Sequence, residues 1–116
     1  MILDGCRVLV VDDCYLIATT TGLMLESAGC CVVGPYGRLD HALSAARTSG
    51  VDAALLDVKI RGQFVFPVAA VLEERDIPFA FVTRGDKGRV KAVYPLRPII
   101  TRPITERALC AFLAAA

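Results

Sequence analysis

Five short apolar runs, each about the length of a β-strand, constrain this chain more than any other feature of its sequence. The runs lie at residues 8–11, 31–33, 53–56, 79–82 and 99–100. They are unbroken rather than alternating, which is typical of strands buried on both faces of a parallel sheet. Because segments with helical periodicity separate the runs, we expect a single α/β domain with helices on both faces of the sheet.

The segments between the runs predict the helices and their ends. The predicted helices cover residues 14–28, 39–46, 66–75, 87–93 and 105–113. The residues of the first helix that we expect on one face are Leu16, Ile17, Thr20, Leu23, Met24 and Ser27. Gly29 is expected to end this helix, and Thr105 can cap the last one. Residues 59–63 are predicted to form a loop.

The charge balance and the hydropathy pattern exclude several classes of protein. The 116 residues include 13 Lys and Arg against 12 Asp and Glu. This balance argues against a nucleic-acid-binding module, which needs clustered basic residues. No apolar run approaches the roughly 18 to 20 residues of a membrane-spanning helix. Since the chain begins without a basic segment followed by an apolar core, we predict a cytoplasmic protein.

Polar residues stand where the predicted strands end. Asp12 and Asp13 follow the first strand, Asp57 follows the third and Thr83 follows the fourth. The carboxyl ends of parallel strands lie along one edge of the sheet, and ligands bind there at the point where the strand order reverses. With the strand order 2-1-3-4-5, the first and third strands are neighbours at that point. These four residues would then converge in one pocket.

Three carboxylates in one pocket repel each other and lose solvation, and they therefore call for a hard cation such as Mg²⁺. Each aspartate taken alone has a simpler explanation, because Asp at the end of a strand commonly caps a helix or forms a turn. The occurrence of the whole set at matching strand ends favours the metal site.

Four separated motifs resemble those of the receiver domain of response regulators in two-component signalling. They are Val-Leu-Val-Val-Asp12-Asp13, Ala-Leu-Leu-Asp57, Phe-Val-Thr83 and Arg102-Pro103, in the order and at the spacing of that family. The resemblance covers about residues 5–114. It implies a flavodoxin-like, doubly wound sheet of five parallel strands, and a receiver domain of the single-domain type over residues 1–116.

The resemblance also implies roles for the acidic residues. Asp57 matches the aspartate that accepts a phosphoryl group from a histidine kinase or a phosphotransfer protein. Asp12 and Asp13 match the acidic pair that holds Mg²⁺ together with Asp57. The backbone carbonyl of Lys59 matches the remaining protein ligand of this metal site.

Other positions of the pocket both follow and depart from the family pattern. Thr83 matches the hydroxyl that hydrogen-bonds the phosphoryl oxygen, whereas Arg102 replaces an almost fixed lysine that stabilises the phosphoryl group. Arg84 occupies a place where a small residue is usual, and Ile99 occupies a switch position that is often aromatic. The basic residues that could ring the aspartates are Lys59, Arg61, Arg84 and Arg102.

The ring of basic residues has two interpretations. Its side chains could be solvated and without effect on the pocket. Alternatively, Lys59 or Arg84 could act as a modulator that pairs with the aspartates in the resting state and weakens the binding of Mg²⁺.

The expected function is a phospho-accepting receiver that is not an enzyme and signals through protein contacts. One alternative is a pseudo-receiver, an interaction or dimerisation module that works without phosphorylation. Another is a small Mg²⁺-dependent phosphohydrolase with Asp57 as its nucleophile. In this family the output surface is the face formed by helix 4, strand 5 and helix 5. Its apolar residues, which could support a homodimer, are Val90, Val93, Tyr94 and Leu96. We expect neither a nucleic-acid partner nor a membrane partner.

Overall fold

The computed structural model describes residues 4–85 and 87–116, and it contains a five-stranded parallel sheet between two layers of helices. The strands are β1 (Arg7–Val11), β2 (Cys31–Tyr36), β3 (Ala53–Asp57), β4 (Lys59–Ile60), β5 (Gln63–Phe64), β6 (Phe79–Thr83) and β7 (Ile99–Thr101). The helices are α1 (Tyr15–Ser27), α2 (Leu39–Thr48), α3 (Phe66–Glu74), α4 (Gly88–Val93) and α5 (Glu106–Ala115).

The order of the strands in the large sheet is β2-β1-β3-β6-β7, and all four neighbouring pairs are parallel. This order confirms the predicted 2-1-3-4-5 arrangement, since β6 and β7 are the fourth and fifth strands of that sheet. The register pairs Val11 with Leu56, and Asp57 with Val82. The carboxyl ends of β1, β3 and β6 therefore lie side by side at one edge.

Alternate residues of the strands in the five-stranded sheet supply two separate hydrophobic cores. On one face of the sheet, Leu9, Leu56 and Phe81 pack with buried residues of α2, α3 and α4. On the other face, Val10 and Leu55 pack with buried residues of α1 and α5. The strands are apolar on both faces because successive side chains of a strand point in opposite directions and helices cover each face.

The face predicted for α1 is not the one that is fully buried, although Met24 packs against the core while half-buried. Leu16 and Leu23 are 72% and 61% exposed. The buried residues of the helix are Ala18, Thr21, Gly22 and Leu25. Three of these four are small, and a Cβ on Gly22 would lie 3.8 Å from Cγ2 of Val32 in β2. Small side chains let the helix approach the sheet closely, so side-chain size selects the buried face more than hydropathy does.

Two further segments differ from the prediction. Strand β2 continues through Gly34 to Tyr36, with a register shift against β1 at the point where Gly34 has a φ of 106°. Residues 59–63 do not form a simple loop, because β4 and β5 pair as an antiparallel hairpin. Its turn residues, Arg61 and Gly62, have φ values of 51° and 81°. Positive φ at both central residues is the geometry of a type I′ turn, which suits the twist of a short hairpin.

The roles predicted for Gly29 and Thr105 at helix ends are confirmed. Gly29 follows α1 with a φ of 94°, and the hydroxyl oxygen of Thr105 accepts a hydrogen bond of 3.1 Å from the backbone N–H of Ala108 at the start of α5. Within residues 4–85 and 87–116, every helix is too short or too polar to cross a bilayer.

Candidate functional site

Three carboxylates meet at the carboxyl edge of the sheet, as the sequence predicted. Asp57 is the last residue of β3, while Asp12 and Asp13 directly follow β1. One side-chain oxygen from each of the three residues lies within 4.8 Å of the others. Asp12 and Asp57 are buried, whereas Asp13 is exposed. Because the neighbouring strands end at the same level, the fold itself creates this acidic cluster.

Two of the three aspartates also stabilise local structure. Oδ1 of Asp12 accepts a hydrogen bond of 2.9 Å from the backbone N–H of Cys14, which lies at the start of α1. Oδ2 of Asp13 accepts a hydrogen bond of 2.7 Å from the backbone N–H of Arg61 in the hairpin turn. Helix capping or turn formation, the simpler explanation for Asp at a strand end, is therefore correct for one carboxylate oxygen of Asp12 and one of Asp13. It does not account for the other oxygen of either residue.

A cavity of about 350 Å³ opens beside the acidic cluster. Its lining residues are Asp13, Asp57, Val58, Lys59, Gly62, Thr83 and Arg84. Thr83 ends β6 and is buried, and its hydroxyl oxygen accepts a hydrogen bond of 3.1 Å from the backbone N–H of Gly85. The hydroxyl therefore stays free to donate a hydrogen bond into the cavity.

Arg102 reaches the acidic cluster from the segment that follows β7. Its Nη2 lies 2.6 Å from Oδ2 of Asp12 and 3.2 Å from Oδ2 of Asp57. The side chains of Arg102 and Asp12 are only 8% and 6% exposed. The backbone N–H of Arg102 donates a hydrogen bond of 2.8 Å to the carbonyl of Thr83. A single guanidinium nitrogen thus bridges two buried carboxylates.

The cation that pairs with the aspartates is therefore Arg102, and the suggestion of Lys59 or Arg84 is not supported. Nζ of Lys59 lies 5.1 Å from the ring centroid of Phe64, which attracts the ammonium group toward the partner strand of the hairpin. Arg84 is exposed at the cavity edge and forms no ion pair with an acidic group within residues 4–85 and 87–116. Arg61 contributes its backbone N–H rather than its charge.

The surroundings of Asp57 disfavour its negative charge. Burial is the largest cause, and the carboxylates of Asp12 and Asp13 add to it. The positive charges of Arg102 and Arg84 oppose the shift, but the pKa of Asp57 still rises from 3.8 to about 6. The two cations therefore do not fully offset the combined effect of burial and the neighbouring carboxylates. Carboxylate oxygens are the ligands that hard divalent cations prefer, so the residues present fit such an ion.

Ile99, at the predicted switch position, is half-buried and pairs with Phe81 in the sheet. Tyr94, which the sequence placed on the output surface, is half-buried nearby and packs against the core. Its ring lies among the rings of Phe66, Phe79 and Phe81, with centroid distances of 5.8, 5.8 and 5.5 Å. No local pattern predicts this cluster, because its members come from three different elements or their ends and meet only through packing.

Three solved structures illustrate the similarity of the chain to known proteins. SdrG from Sphingomonas melonis Fr1 is 37% identical, with a TM-score of 0.85 over 96% of this chain and 95% of SdrG. The signal receiver domain of a modulated diguanylate cyclase from Desulfovibrio desulfuricans G20 is 26% identical, with a TM-score of 0.86 over 97% of this chain and 94% of that one.

The response regulator PhyR from Brucella abortus is 26% identical, with a TM-score of 0.82 over 97% of this chain and 47% of PhyR. The chain is therefore similar to a part of PhyR that spans about half its length. No protein-family model and no curated protein sequence matches the chain.

Proposed function

This chain belongs to the receiver domains of response regulators, which are signalling modules rather than enzymes, and from that premise we propose that it accepts a phosphoryl group on Asp57. The proposal rests on the position of Asp57, which faces an open cavity between the acidic pair and the hydroxyl of Thr83. We further propose that residues 1–116 make up one receiver domain.

The proposed reaction is transfer from a phosphohistidine. An Asp57 oxygen attacks phosphorus, an O–P bond forms, and the N–P bond to the donor imidazole breaks as the imidazole leaves. With a pKa of about 6, most of Asp57 is ionised at neutral pH and can act as the nucleophile. Thr83 would donate a hydrogen bond to a phosphoryl oxygen. Arg102 would offset the negative charge on the transferred group.

The proposed metal is Mg²⁺, and the residues that would hold it are Asp12, Asp13, Asp57 and the backbone carbonyl of Lys59. The bound ion would neutralise charge on the oxygens of the phosphoryl group during transfer. Asp13 contributes a second effect, because its hydrogen bond to the N–H of Arg61 holds the hairpin against the site. The hairpin begins with Lys59, so this bond also positions the proposed carbonyl ligand.

The proposed phosphodonor is a histidine kinase or a phosphotransfer protein. Helix α1 begins two residues after Asp13, and its exposed large apolar side chains are Tyr15, Leu16 and Leu23. Exposed apolar groups beside a reactive carboxylate suit a protein donor better than a small, strongly hydrated phosphate ester. For the α4–β7–α5 face the apolar surface is smaller than the sequence suggested, because Val90 is fully buried. Val93 and Leu96 remain exposed there.

Incubation with acetyl phosphate and MgCl₂, followed by intact-protein mass spectrometry, tests the proposal. We expect a mass increase of one phosphoryl group in the native protein and none in Asp57→Asn. Asp52→Asn is a matched control, because Asp52 precedes β3 at the opposite edge of the sheet and should leave the adduct unchanged. Equal adducts in native protein and Asp57→Asn would place the acceptor elsewhere.

A pseudo-receiver is the second candidate, and the pairing of Arg102 with Asp12 and Asp57 favours it. An absent adduct, together with no change in the NMR spectrum on addition of beryllofluoride and MgCl₂, would support that function instead. For the phosphohydrolase alternative, we expect no turnover of a small phosphate ester.

A further inference from the structure

Both carboxylate oxygens of Asp12 accept a hydrogen bond. Its Oδ1 accepts the backbone N–H of Cys14, and its Oδ2 accepts Nη2 of Arg102. The first of these bonds belongs to the connection between β1 and α1 and cannot be broken without disturbing the helix start. The second is a contact between two side chains. If Asp12 is to bind anything else, the contact with Arg102 is the one that can change.

The position of Nη2 conflicts with a shared divalent cation. Mg²⁺ would bind carboxylate oxygens at about 2.0 to 2.1 Å. A dication bridging Asp12 and Asp57 would stand next to a guanidinium that touches both carboxylates. These side chains are largely shielded from water, so repulsion between the two cations is only weakly screened.

The guanidinium is also incompletely bonded where it lies. Nε of Arg102 is buried and has no hydrogen-bond partner among the described residues. A buried donor without a partner costs free energy, so this resting position leaves the guanidinium incompletely satisfied. The backbone of Arg102 is held separately, through its N–H bond to the carbonyl of Thr83. The side chain can therefore move while the backbone of Arg102 stays beside the cavity.

We propose that Arg102 is an internal counter-cation whose pairing with Asp12 and the binding of Mg²⁺ exclude each other. This inference rests on the metal site of the proposed function. Binding of the divalent cation releases the guanidinium from Asp12. The released guanidinium remains close to Thr83, because the backbone of Arg102 is bonded there. Oxygens of a phosphoryl group on Asp57 can then accept hydrogen bonds from its N–H groups. Arg102 is thus a positioning residue, and the position of its side chain depends on whether the cation site is filled.

Calorimetric titration with MgCl₂ tests the competition. Arg102→Gln removes the competing cation, and we expect it to bind Mg²⁺ about tenfold more tightly than the native protein, as expected for loss of one competing ion pair. Arg84→Gln is the matched control, because it removes the same charge at the edge of the same cavity without breaking an ion pair to the aspartates. We expect it to change the affinity less than about threefold, as is usual for an exposed charge.

A second readout is measured on the native protein. The Nε–Hε NMR signal of Arg102 is assigned by its absence from the spectrum of Arg102→Gln, and it should shift as Mg²⁺ saturates the protein. As a control, equal concentrations of NaCl should leave the spectrum of the metal-free protein unchanged. If Arg102→Gln does not fold, Arg102→Lys supplies the assignment. A signal unmoved at saturation overturns the inference, as do equal gains for Arg102→Gln and Arg84→Gln. In both cases the metal site itself stands. If neither native protein nor variants bind Mg²⁺, the metal site of the proposed function is wrong and the inference falls with it.

Discussion

Asp57 carries its carboxyl group in surroundings that disfavour a negative charge. Burial is the main cause, the carboxylate of Asp12 adds to it, and the pKa rises from 3.8 to about 6. As the pH rises, the unfolded chain therefore loses this proton before the folded protein does. The stability that protonated Asp57 contributes is complete below about pH 3.8 and is lost as the pH rises through about 6.

Replacing Asp57 with Asn should remove this dependence. With divalent cations chelated, we expect the variant to be about 1 to 3 kcal/mol more stable than the native protein at about pH 7, since one pKa unit corresponds to about 1.4 kcal/mol. The difference should shrink toward about pH 4, where Asp57 is protonated in the folded protein. Urea unfolding at both pH values measures it.

Glu74→Gln is the control for this comparison, because Glu74 is an exposed carboxylate at the end of α3. It should change the free energy of unfolding by less than about 0.5 kcal/mol at either pH. The same gain for Asp57→Asn at both pH values would mean that charge burial is not its cause.

At this scale the sequence predicts the acidic cluster but not its counter-ion. Asp12, Asp13 and Asp57 converge because parallel strands of similar length end together, and that follows from connectivity alone. Which cation reaches them depends on competing contacts. Lys59 lies against the ring of Phe64, while Arg102 is buried beside Asp12. No spacing in the chain encodes that choice.

Helix α1 shows how side-chain size can override hydropathy in an element. Its large apolar residues Leu16 and Leu23 face outward, while Ala18, Thr21 and Gly22 face the sheet. Hydropathy periodicity alone therefore predicts the wrong face. Leu25 is the large residue among the four buried side chains of this helix, and it lies in the core shared with α5.

Two leucines of this helix make a matched pair for truncation. Leu25→Ala should cost about 2 to 5 kcal/mol of unfolding free energy, because it leaves a cavity between the helix and the sheet. Leu23→Ala should change stability by less than about 0.5 kcal/mol, because the removed atoms are already in water. Chemical denaturation of both variants tests the assignment, and a Leu23→Ala cost as large as that of Leu25→Ala would contradict it.

The β4–β5 hairpin contains a residue that is poorly suited to its turn. Arg61 has a φ of 51°, and a side chain in this left-handed region costs roughly 1 kcal/mol for most residues, but less for Asn. Its backbone N–H is nevertheless needed, because it bonds Oδ2 of Asp13. The sequence prediction of a loop failed here because Arg-Gly is not among the residue pairs that commonly signal a type I′ turn.

Arg61→Asn should therefore stabilise the protein by about 0.5 to 1 kcal/mol, since Asn-Gly is a preferred type I′ pair. Arg61→Gln is the matched control, because it removes the same charge without a preference for the left-handed conformation. Thermal and urea unfolding should show the gain in the first variant only. Equal behaviour of the two variants would assign the effect to charge rather than to backbone conformation.

The architecture of the whole molecule can be predicted from the strand pattern more completely than the details of any single element. Unbroken apolar runs require cover on both faces, and helical segments between them supply it, so the layered architecture and the parallel sheet are predictable. The surface is less predictable, because it depends on how much of each helix the core uses. Val90 and Leu96 belong to the same predicted surface, yet Val90 is fully buried and Leu96 is 94% exposed.

The exposed apolar residues that remain lie on opposite sides of the sheet. Helix α1 packs on the face that contains Val10, whereas α4 packs on the face that contains Leu9. A contact made through Val93 and Leu96 near α4 is therefore separate from one made through α1. This separation would let the proposed phosphodonor contact α1 while a second copy of the chain contacts the α4 side.

We accordingly expect activation to promote self-association through the α4 side. In sedimentation velocity, beryllofluoride with MgCl₂ should increase the dimer fraction of the native protein, because a contact through the exposed side chains of Val93 and Leu96 would bury apolar surface. Leu96→Lys should abolish the increase, since it places a charge in that contact. Leu16→Lys, which adds the same charge on the α1 side, should leave the increase intact. An unchanged dimer fraction in the native protein, or equal loss in both variants, would rule out Leu96 as part of a self-association surface and leave Val93 and Leu96 as a site for a different protein.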